Sequence, residues 1–317
     1  MTDFLSLLRN ARDRRESLFG RKETDCFRLF NAGRDGFDGF TLDLYGEYLL
    51  AQIFYDEAWE HERPIRAALE EFAAKLGTDI RGLLLKDRRK APDPGDPARH
   101  ESMPVAGNPP PREYSVVQNG TRCIVNLVSG QNTGLFLDMR EVRERLQQYC
   151  PDMHHVLNLF SYTGIFSVHA LRHGARSAVN VDLSRPALAR ARNNYEANGL
   201  SVDERDFICG DSFKWIKAFT RKGRRFSMVF FDPPTFSRNR GSVFSVKKHY
   251  PGYLETLGRI AEGGYALTAI NAEFLPEEEY VRYHPRSWEN VFLAHESQDF
   301  LPGASPYLKT GLWRVHS

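Results

Sequence analysis

VLNLFSYTGIFSVHAL, residues 156–171, is the stretch that decides the fold. A short apolar run leads into a turn of small and polar residues, and a helical pattern begins after Gly164. Short apolar runs then alternate with helical segments of about 10–15 residues, as in βαβ units. The runs are VLNLF (156–160), SAVNVD (177–182), RDFICGD (205–211), FSMVFFD (226–232) and YALTAI (265–270). This alternation predicts an α/β fold with a parallel sheet that is covered on both faces.

Three of the five runs end on an aspartate, namely Asp182, Asp211 and Asp232. Ligands of open parallel sheets bind beyond the carboxyl ends of the strands, so these positions are candidates for a site. The turn Ser161–Gly164 opens a helix, and its backbone N–H groups can receive an anionic group such as a carboxylate. An ordinary strand-to-helix turn remains the alternative. The turn contains one glycine and not GxGxxG, which disfavours a dinucleotide.

The acids that end the second and third runs fit a nucleoside. Asp182 follows Gly164 by eighteen residues, a spacing at which a carboxylate accepts hydrogen bonds from both ribose hydroxyls. The alternative role for Asp182 or Ser184 is a helix N-cap. Asp211 can accept from an adenine amine, and Phe213 can lie against the ring. A nucleoside held by two acids, with its charged tail at the first turn, indicates S-adenosylmethionine.

The fourth run ends in Asp232-Pro233-Pro234, where the prolines prevent helix or strand from continuing. The pattern predicts a stiff loop beside the sulfonium of the cofactor. Methyl transfer is an in-line displacement, so alignment can supply much of the acceleration. Phe236 can stack on an extruded base, or it can simply cover the core.

The rest of the chain predicts a second, smaller domain. The whole chain has 317 residues, which is more than a usual single domain contains. Residues 1–90 alternate strand and helix patterns and predict a small α+β domain with a possible role in RNA binding, opening with a surface helix. Residues 91–112 hold seven of the 17 prolines and predict a linker. Residues 113–317 form the predicted catalytic domain, led by a hairpin at Asn119-Gly120.

Charge and cysteine content narrow the function classes. A net charge of +2 argues against bulk attraction to nucleic acid, although local basic clusters can bind phosphates. No apolar run is long enough to span a bilayer, and the N-terminus lacks the pattern of a secretory signal. Four dispersed cysteines favour a reducing, cytoplasmic compartment and disfavour a bound metal. The basic clusters are Arg9, Arg12, Arg14, Arg15, Arg21 and Lys22; Lys86, Arg88, Arg89 and Lys90; and Arg238, Arg240, Lys247 and Lys248.

Several segments resemble the class I methyltransferases that modify bacterial large-subunit (23S) ribosomal RNA. They are VLNLFSYTGIFSVHAL, NVDLSRPALARARNNYEANGL, GDSFKWI and FFDPPTFSR. Within that family, GLFLDMR (134–140), DPPTFS (232–237) and SQDF (297–300) are most similar to the RlmK branch, which makes 7-methylguanine. RLFNAGRDGFDGFTLDLYGEYLLAQ (28–52) is similar to the small domain of the RlmI branch. The resemblance implies a Rossmann-like sheet of seven strands whose last two are antiparallel, around NVFLA and KTGLWRVH.

The resemblance also implies roles for matching residues. Implied cofactor contacts are Ser161, Tyr162, Thr163 and Gly164 for the methionine portion, Asp182 for the ribose, and Asp211 and Ser212 for adenine. Asp232 and Pro233 would face the methyl group. Phe136, Asp138 and Arg140 would close over the cofactor, with Arg140 pairing with the methionine carboxylate or forming a surface helix salt bridge.

The methyl acceptor is predicted partly from an absence. Cytosine C5 methylation needs a cysteine nucleophile, which family members with that activity carry after the fifth strand, where this chain reads ALTAINAEF. Guanine N7 needs neither covalent activation nor proton removal and is favoured. Methylation of cytosine C5 or of an exocyclic amine remains an alternative, as do a small-molecule methyltransferase and a non-catalytic RNA-binding relative. The sequence makes no prediction of oligomeric state.

Overall fold

The structure is a computed structural model that describes residues 3–89, 101–239, 242–261, 263–303 and 305–316, without the side chains of 237–239 and 242–244. The chain divides into two compact units. Unit 1 comprises Met1–Arg140 and Ser297–Leu301, and unit 2 comprises Glu141–Glu296 and Pro302–Ser317. The chain therefore enters unit 1 a second time, close to its C-terminus.

Unit 1 is built on a five-stranded sheet with the order β1-β2-β3-β4-β5. Neighbouring strands are antiparallel except for the parallel pair β3 and β4. Its strands are β1 (Cys26–Asn31), β2 (Phe40–Tyr45), β3 (Tyr48–Ile53), β4 (Gly82–Asp87) and β5 (Ser102–Gly107). Its helices are α1 (Phe4–Arg14), α2 (Asp56–Trp59) and α3 (Glu62–Ala74).

The first helix covers the core of unit 1 with one face only. Leu5, Leu8 and Ala11 repeat every three residues and are buried, as expected of an amphipathic helix. Asp3 begins the helix, because its carboxylate accepts a hydrogen bond from the Leu5 N–H at 3.2 Å. The predicted surface helix is therefore a packed one whose other face is polar.

Two features of the predicted domain division differ in the structure. Within the predicted linker, residues 91–100 lie outside the described residues, but 102–107 form β5, where Pro104 is tolerated because β5 is an edge strand. The hairpin of β6 (Tyr114–Gln118) and β7 (Thr121–Val125), predicted to lead the catalytic domain, belongs to unit 1. Val117 and Asp25 hold it there, because each donates its backbone N–H to the other residue, at 2.7 and 3.0 Å.

Unit 2 contains the predicted Rossmann-like sheet, with seven strands in the order β10-β9-β8-β11-β14-β16-β15. The first five are parallel, and β16 is antiparallel to both of its neighbours, which confirms the predicted fold class. The strands are β8 (Val156–Leu159), β9 (Ala178–Asp182), β10 (Phe207–Cys209), β11 (Met228–Phe231), β14 (Tyr265–Asn271), β15 (Trp288–Ala294) and β16 (Leu308–Val315). A separate hairpin is formed by β12 (Phe236–Asn239) and β13 (Ser242–Ser245).

Helices connect the parallel strands of unit 2 and cover the sheet. Strands β8 and β11 are buried along their whole length, which explains their continuous apolar runs. The helices are α4 (Arg140–Leu146, which starts on the last residue of unit 1), α5 (Ile165–Arg172), α6 (Arg185–Ala197), α7 (Ser212–Arg221), α8 (Val246–Ala261) and α9 (Glu277–Arg282). Among the described residues, no helix combines the length and apolar character needed to cross a bilayer.

Candidate functional site

The predicted site residues of unit 2 meet at the carboxyl edge of the parallel strands. Leu159 at the end of β8 lies opposite Val181 of β9 on one side and Phe231 of β11 on the other. Asp182 in turn pairs with Cys209 at the end of β10. Because adjacent strands are about 4.8 Å apart, the residues that follow these strand ends form one continuous row.

The turn after β8 is held in an unusual backbone conformation. Phe160 and Tyr162 have φ of 55° and 49°, a region that residues other than glycine rarely adopt, and Gly164 follows with φ of 70°. The Ser161 N–H donates to the Val181 carbonyl at 3.1 Å, and the Asn194 side chain donates to the Thr163 carbonyl at 2.8 Å. Such strain is typical of functional turns that their surroundings hold in place.

Gly164 is required by both conformation and space. Besides its positive φ, a Cβ at this position would lie 3.0 Å from the Cβ of Ala191 and 3.4 Å from Oδ1 of Asn180. The glycine lets α5 begin close against α6. The N-terminal end of α5 is thereby fixed beside the ends of β8 and β9.

Asp182 supports the turn as well as ending β9. Its Oδ2 accepts a hydrogen bond from the Tyr162 N–H at 2.8 Å, and its Oδ1 accepts from the Ser184 N–H at 2.8 Å. Each carboxylate oxygen has a further lone pair, so both can accept a ribose hydroxyl in addition. The N-cap of α6 is Ser184, whose Oγ accepts from the Ala187 N–H at 3.2 Å.

Asp211 and Ser212 occupy the start of α7. Asp211 is its N-cap and accepts from the N–H groups of Phe213 and Lys214, at 2.9 and 3.3 Å. Ser212 is buried, and its Oγ accepts from the Phe160 N–H at 3.1 Å and donates to the Val181 carbonyl at 3.3 Å. The Ser212 hydroxyl therefore joins the β8 turn to β9, a positioning role that sequence reasoning did not assign.

An aromatic row lines the edge beside these acids. Phe213 has its ring centroid 5.0 Å from that of Phe160 and 4.1 Å from that of Tyr253, and Phe160 contacts Phe231 at 5.9 Å. Leu183 directly follows Asp182 and is 56% exposed, and sequence reasoning did not single it out. An apolar residue directly after the acid that ends the strand was the available signal.

The loop after β11 carries the predicted catalytic residues. Asp232 is half-buried, Pro233 is buried, and Phe236 is 54% exposed at the first position of β12. Asp232 lies close enough to Tyr250 to contribute to raising the pKa of that buried phenol, after the larger effects of burial and of Tyr280. Tyr250 therefore stays protonated and donates its hydroxyl to the Ala269 carbonyl at 3.2 Å.

Residues at this edge fit a cofactor with a polar tail. The Ser161 Oγ is buried and has no hydrogen-bond partner in the described part of the chain. A buried hydroxyl without a partner is costly, and the methionine carboxylate or amine of S-adenosylmethionine would supply one. Asp182 and Asp211 add acceptors for the ribose and adenine. The hydrogen-bonding groups of the site therefore fit the predicted cofactor.

Phe136, Asp138 and Arg140 lie in unit 1. Phe136 is 49% exposed, and the Asp138 carbonyl accepts from the Ser297 N–H and Oγ at 2.9 and 2.8 Å. Arg140 is 1% exposed, and its Nη2 lies 2.8 Å from Asp299 Oδ1. This ion pair is buried and is not the surface helix salt bridge given as the alternative, whereas pairing of Arg140 with the methionine carboxylate stays a prediction. Closure of this segment over the cofactor stays a prediction.

Most side chains of the first two basic clusters, those that begin at Arg9 and at Lys86, form ion pairs or hydrogen bonds inside unit 1. Ion pairs join Arg9 to Glu71, Arg12 to Asp13 and Glu16, Arg14 and Arg15 to Asp35, and Arg89 to Asp56 and Asp87. Lys86 is buried and donates to the Gly130 carbonyl at 3.0 Å. Lys90, Arg240 and the Arg238 side chain lie outside the described residues, whereas Lys247 and Lys248 are exposed on α8.

Comparisons with known proteins agree with this geometry. A family model described as S-adenosylmethionine-dependent methyltransferase matches residues 28–287. The chain is 31% identical over 266 residues to "Ribosomal RNA large subunit methyltransferase I" of Aeromonas salmonicida, covering 84% of this chain and 65% of that protein. It is 32% identical to the protein of the same name from Photobacterium profundum, covering 78% and 60%. The chain thus spans less than two thirds of the length of these relatives.

A solved structure matches nearly the whole chain. SMU.776 complexed with SAH has a TM-score of 0.87 and 28% identity, over 98% of this chain and 81% of that one. Its bound SAH is the demethylated form of the cofactor that the acids and the Ser161 turn predict. Together with the match over residues 28–287, this confirms the expected family and its cofactor: the chain belongs to the S-adenosylmethionine-dependent methyltransferases.

Proposed function

We propose that the protein methylates a base of large-subunit ribosomal RNA, with guanine N7 as the favoured acceptor. The observation that carries the proposal is the order of groups along the sheet edge. The acids of β10 and β9 stand on one side of the Ser161 turn, and Asp232 stands on the other, next to the exposed Phe236. The named relatives are ribosomal RNA large subunit methyltransferases, which supports RNA as the substrate.

Each part of the edge has one task in this proposal. Bound S-adenosylmethionine supplies an electrophilic methyl group on sulfur. The Ser161 turn holds the methionine tail, Asp182 orients the ribose, and Asp211 receives the adenine amine. Asp232 and Pro233 confine the acceptor base in line with the methyl group, and Phe236 stacks on that base. Guanine N7 presents a lone pair, so no side chain must remove a proton.

The cysteines argue against methylation at carbon 5 of cytosine. Cys26, Cys123 and Cys150 are buried, and burial raises the pKa of Cys150 to about 12. Cys209 is exposed, but it ends β10, three strands away from β11. At about 4.8 Å per strand this is roughly 14 Å from the loop of Asp232, too far for a thiolate to add to a base held there.

An exocyclic amine is the second acceptor that the loop supports. The half-buried carboxylate of Asp232 can accept a hydrogen bond from an amine and hold its lone pair toward the methyl group. Identification of the methylated nucleoside separates this acceptor from guanine N7. The same measurement detects 5-methylcytosine, which would contradict the argument from the cysteines.

The test uses ribosomal RNA from a strain in which this gene is deleted. The purified protein, methyl-labelled S-adenosylmethionine and this RNA are incubated, and the digested RNA is analysed by mass spectrometry. We expect one labelled base in large-subunit RNA and no transfer by Asp232→Ala, whose affinity for S-adenosylhomocysteine stays within a few-fold of wild type. Glu204→Ala, an exposed change in the same unit, is the matched control and should keep full activity.

Two results would overturn the proposal. Strong methylation of free nucleosides or metabolites, with none of ribosomal RNA, would show a small-molecule methyltransferase. No binding of S-adenosylhomocysteine by the wild-type protein would show a non-catalytic relative.

A further inference from the structure

Two exposed phenylalanines stand on neighbouring loops at the acceptor end of the site. Phe236 follows β11 and Phe274 follows β14, and their side chains are 54% and 57% exposed. The two strands are parallel neighbours, with Phe231 opposite Thr268. Both loops therefore leave the sheet at the same edge, one strand spacing apart. Phe274 has no place in the function proposed above.

Thr235 connects these loops to the start of α8. Its Oγ1 donates to the Asn271 carbonyl at the end of β14, and its own carbonyl accepts from the Val246 N–H at 3.3 Å. Three chain segments are thus joined at one residue, directly before Phe236. The residue before Phe236 is thus bonded to the end of β14, three residues before Phe274.

A cation lies on Phe274. The Nζ of Lys247 is 5.2 Å from the centroid of the Phe274 ring, within the range of a cation–π interaction. Lys247 and Lys248 are both exposed on the first turn of α8. An exposed aromatic ring beside a lysine offers what single-stranded nucleic acid binds, a face for a base and charge for its phosphate.

The geometry points to Phe274 and Lys247 as the contact for a nucleotide next to the methylated one. This inference rests on the proposed function, because it assigns the RNA segment that accompanies the target base. Phe236 stacks on the target base, Phe274 stacks on its neighbour, and Lys247 neutralises the phosphate between or beside them. The occupant is single-stranded RNA, since bases paired in a helix do not present their faces to side chains.

The choice of RNA over a protein partner rests on the polar surroundings of the ring. A ring exposed for docking to protein would sit in an apolar patch, whereas Phe274 has the Lys247 Nζ 5.2 Å from its centroid and follows the exposed Glu273 in the chain. Alanine substitution of a stacking aromatic weakens binding by about 1–3 kcal/mol per base, which corresponds to roughly 5- to 150-fold in Kd. Each lysine–phosphate contact on a single strand contributes about 0.7 to the slope of log K against log salt.

The test compares Phe274→Ala, Phe274→Trp and Lys247→Ala in the full-length protein. Tyr55→Ala removes an equally exposed ring of unit 1, 58% exposed, and is the matched control. The probes are a fluorescein-labelled single-stranded 12-mer of mixed sequence, followed by anisotropy at several salt concentrations, and ribosomal RNA from the deletion strain, followed by methyl transfer. Calorimetry with S-adenosylhomocysteine shows whether the cofactor site stays intact.

We expect Phe274→Ala to bind the 12-mer roughly 5- to 150-fold more weakly and to raise the KM for RNA, with unchanged cofactor affinity and salt slope. Phe274→Trp should bind the 12-mer as tightly as the wild type does. Lys247→Ala should lower the slope of log K against log salt by about 0.7. Wild-type affinity in Phe274→Ala, or an equal loss in Tyr55→Ala, would overturn the inference. If ribosomal RNA is not methylated by the wild type, the proposed function fails; if it is and Phe274→Ala acts like the wild type, only this inference fails.

Discussion

The carboxylate of Asp182 should be indispensable for cofactor binding, and an asparagine should not replace it. The structure gives this residue two tasks, because its two oxygens accept backbone N–H groups from Tyr162 and from Ser184, both at 2.8 Å. In the cofactor complex the same oxygens would also receive two ribose hydroxyls. An Asp182→Ala variant loses all four acceptor contacts.

The size of the loss follows from these contacts. A hydrogen bond to a charged group contributes about 1.5–3 kcal/mol, so two ribose contacts amount to about 3–6 kcal/mol, or roughly 10²- to 10⁴-fold in Kd. Asp182→Asn keeps the shape of the side chain. However, its NH₂ group must face the N–H of either Tyr162 or Ser184, whichever way the amide is turned. We therefore expect Asn to weaken binding at least about tenfold.

Isothermal titration calorimetry with S-adenosylhomocysteine measures both effects. Urea unfolding of each variant shows whether the turn after β8 still folds, and Asp203→Ala, an exposed acid paired with Arg205, is the control for loss of a carboxylate. The reasoning would be refuted by an Asp182→Asn protein that binds S-adenosylhomocysteine within twofold of wild type. It would equally be refuted by a control that loses as much affinity.

Three further predictions concern stability. Asp299→Ala leaves the buried guanidinium of Arg140 without this carboxylate and should lower the free energy of unfolding of unit 1 by about 3–5 kcal/mol. Urea unfolding and hydrogen exchange of β1 measure this change. Glu204→Ala, in an exposed ion pair, is the control and should change the free energy of unfolding by less than about 1 kcal/mol. Gly164→Ala should lower the melting temperature more than Gly199→Ala, because both have positive φ but only the former meets a neighbour at 3.0 Å; equal losses would contradict the steric argument. Burial, with a smaller contribution from a neighbouring arginine, lowers the pKa of Lys86 from 10.5 to about 8. Its charge therefore opposes folding below pH 8, and Lys86→Met should raise the melting temperature at pH 7 by an amount that shrinks between pH 8 and 10.5; a pH-independent difference would show that the lysine charge is not the cause.

Most of the catalytic unit is predictable from local sequence. Strands buried on both faces require continuous apolar runs, so β8 and β11 can be recognised without knowledge of their neighbours. Strand order then places Asp182 and Asp232 at one edge, because parallel strands joined by helices end on the same side. The turn at Asn119-Gly120 is equally local, since both residues need positive φ.

Contacts between distant residues were beyond sequence reasoning. Arg140 and Asp299 are separated by 159 positions, and no periodicity connects them. Val117 likewise meets Asp25 across 92 positions, so local patterns alone predict the hairpin to belong to the other domain. The sequence also does not show that Asp182 supports the turn after β8. Its carboxylate accepts the Tyr162 N–H only because the strained backbone at Tyr162 directs that group toward it.

The return of residues 297–301 to unit 1 has a consequence for synthesis on the ribosome. Asp299 receives Arg140 at 2.8 Å and the Arg28 N–H at 2.8 Å, and its carbonyl accepts two bonds from Arg15. At 5–20 residues per second, Asp299 is made roughly 8–30 s after Arg140. The half of the protein that emerges first is thus the half that finishes folding late. Until then the carboxylate that pairs with Arg140 has not been made, whereas Arg15 and Arg28 already have Asp35 and Asp43. A chain that ends before residue 297 would keep Arg140 without the Asp299 carboxylate, so a nucleic-acid affinity measured on it would include a guanidinium that the full chain pairs with its own acid.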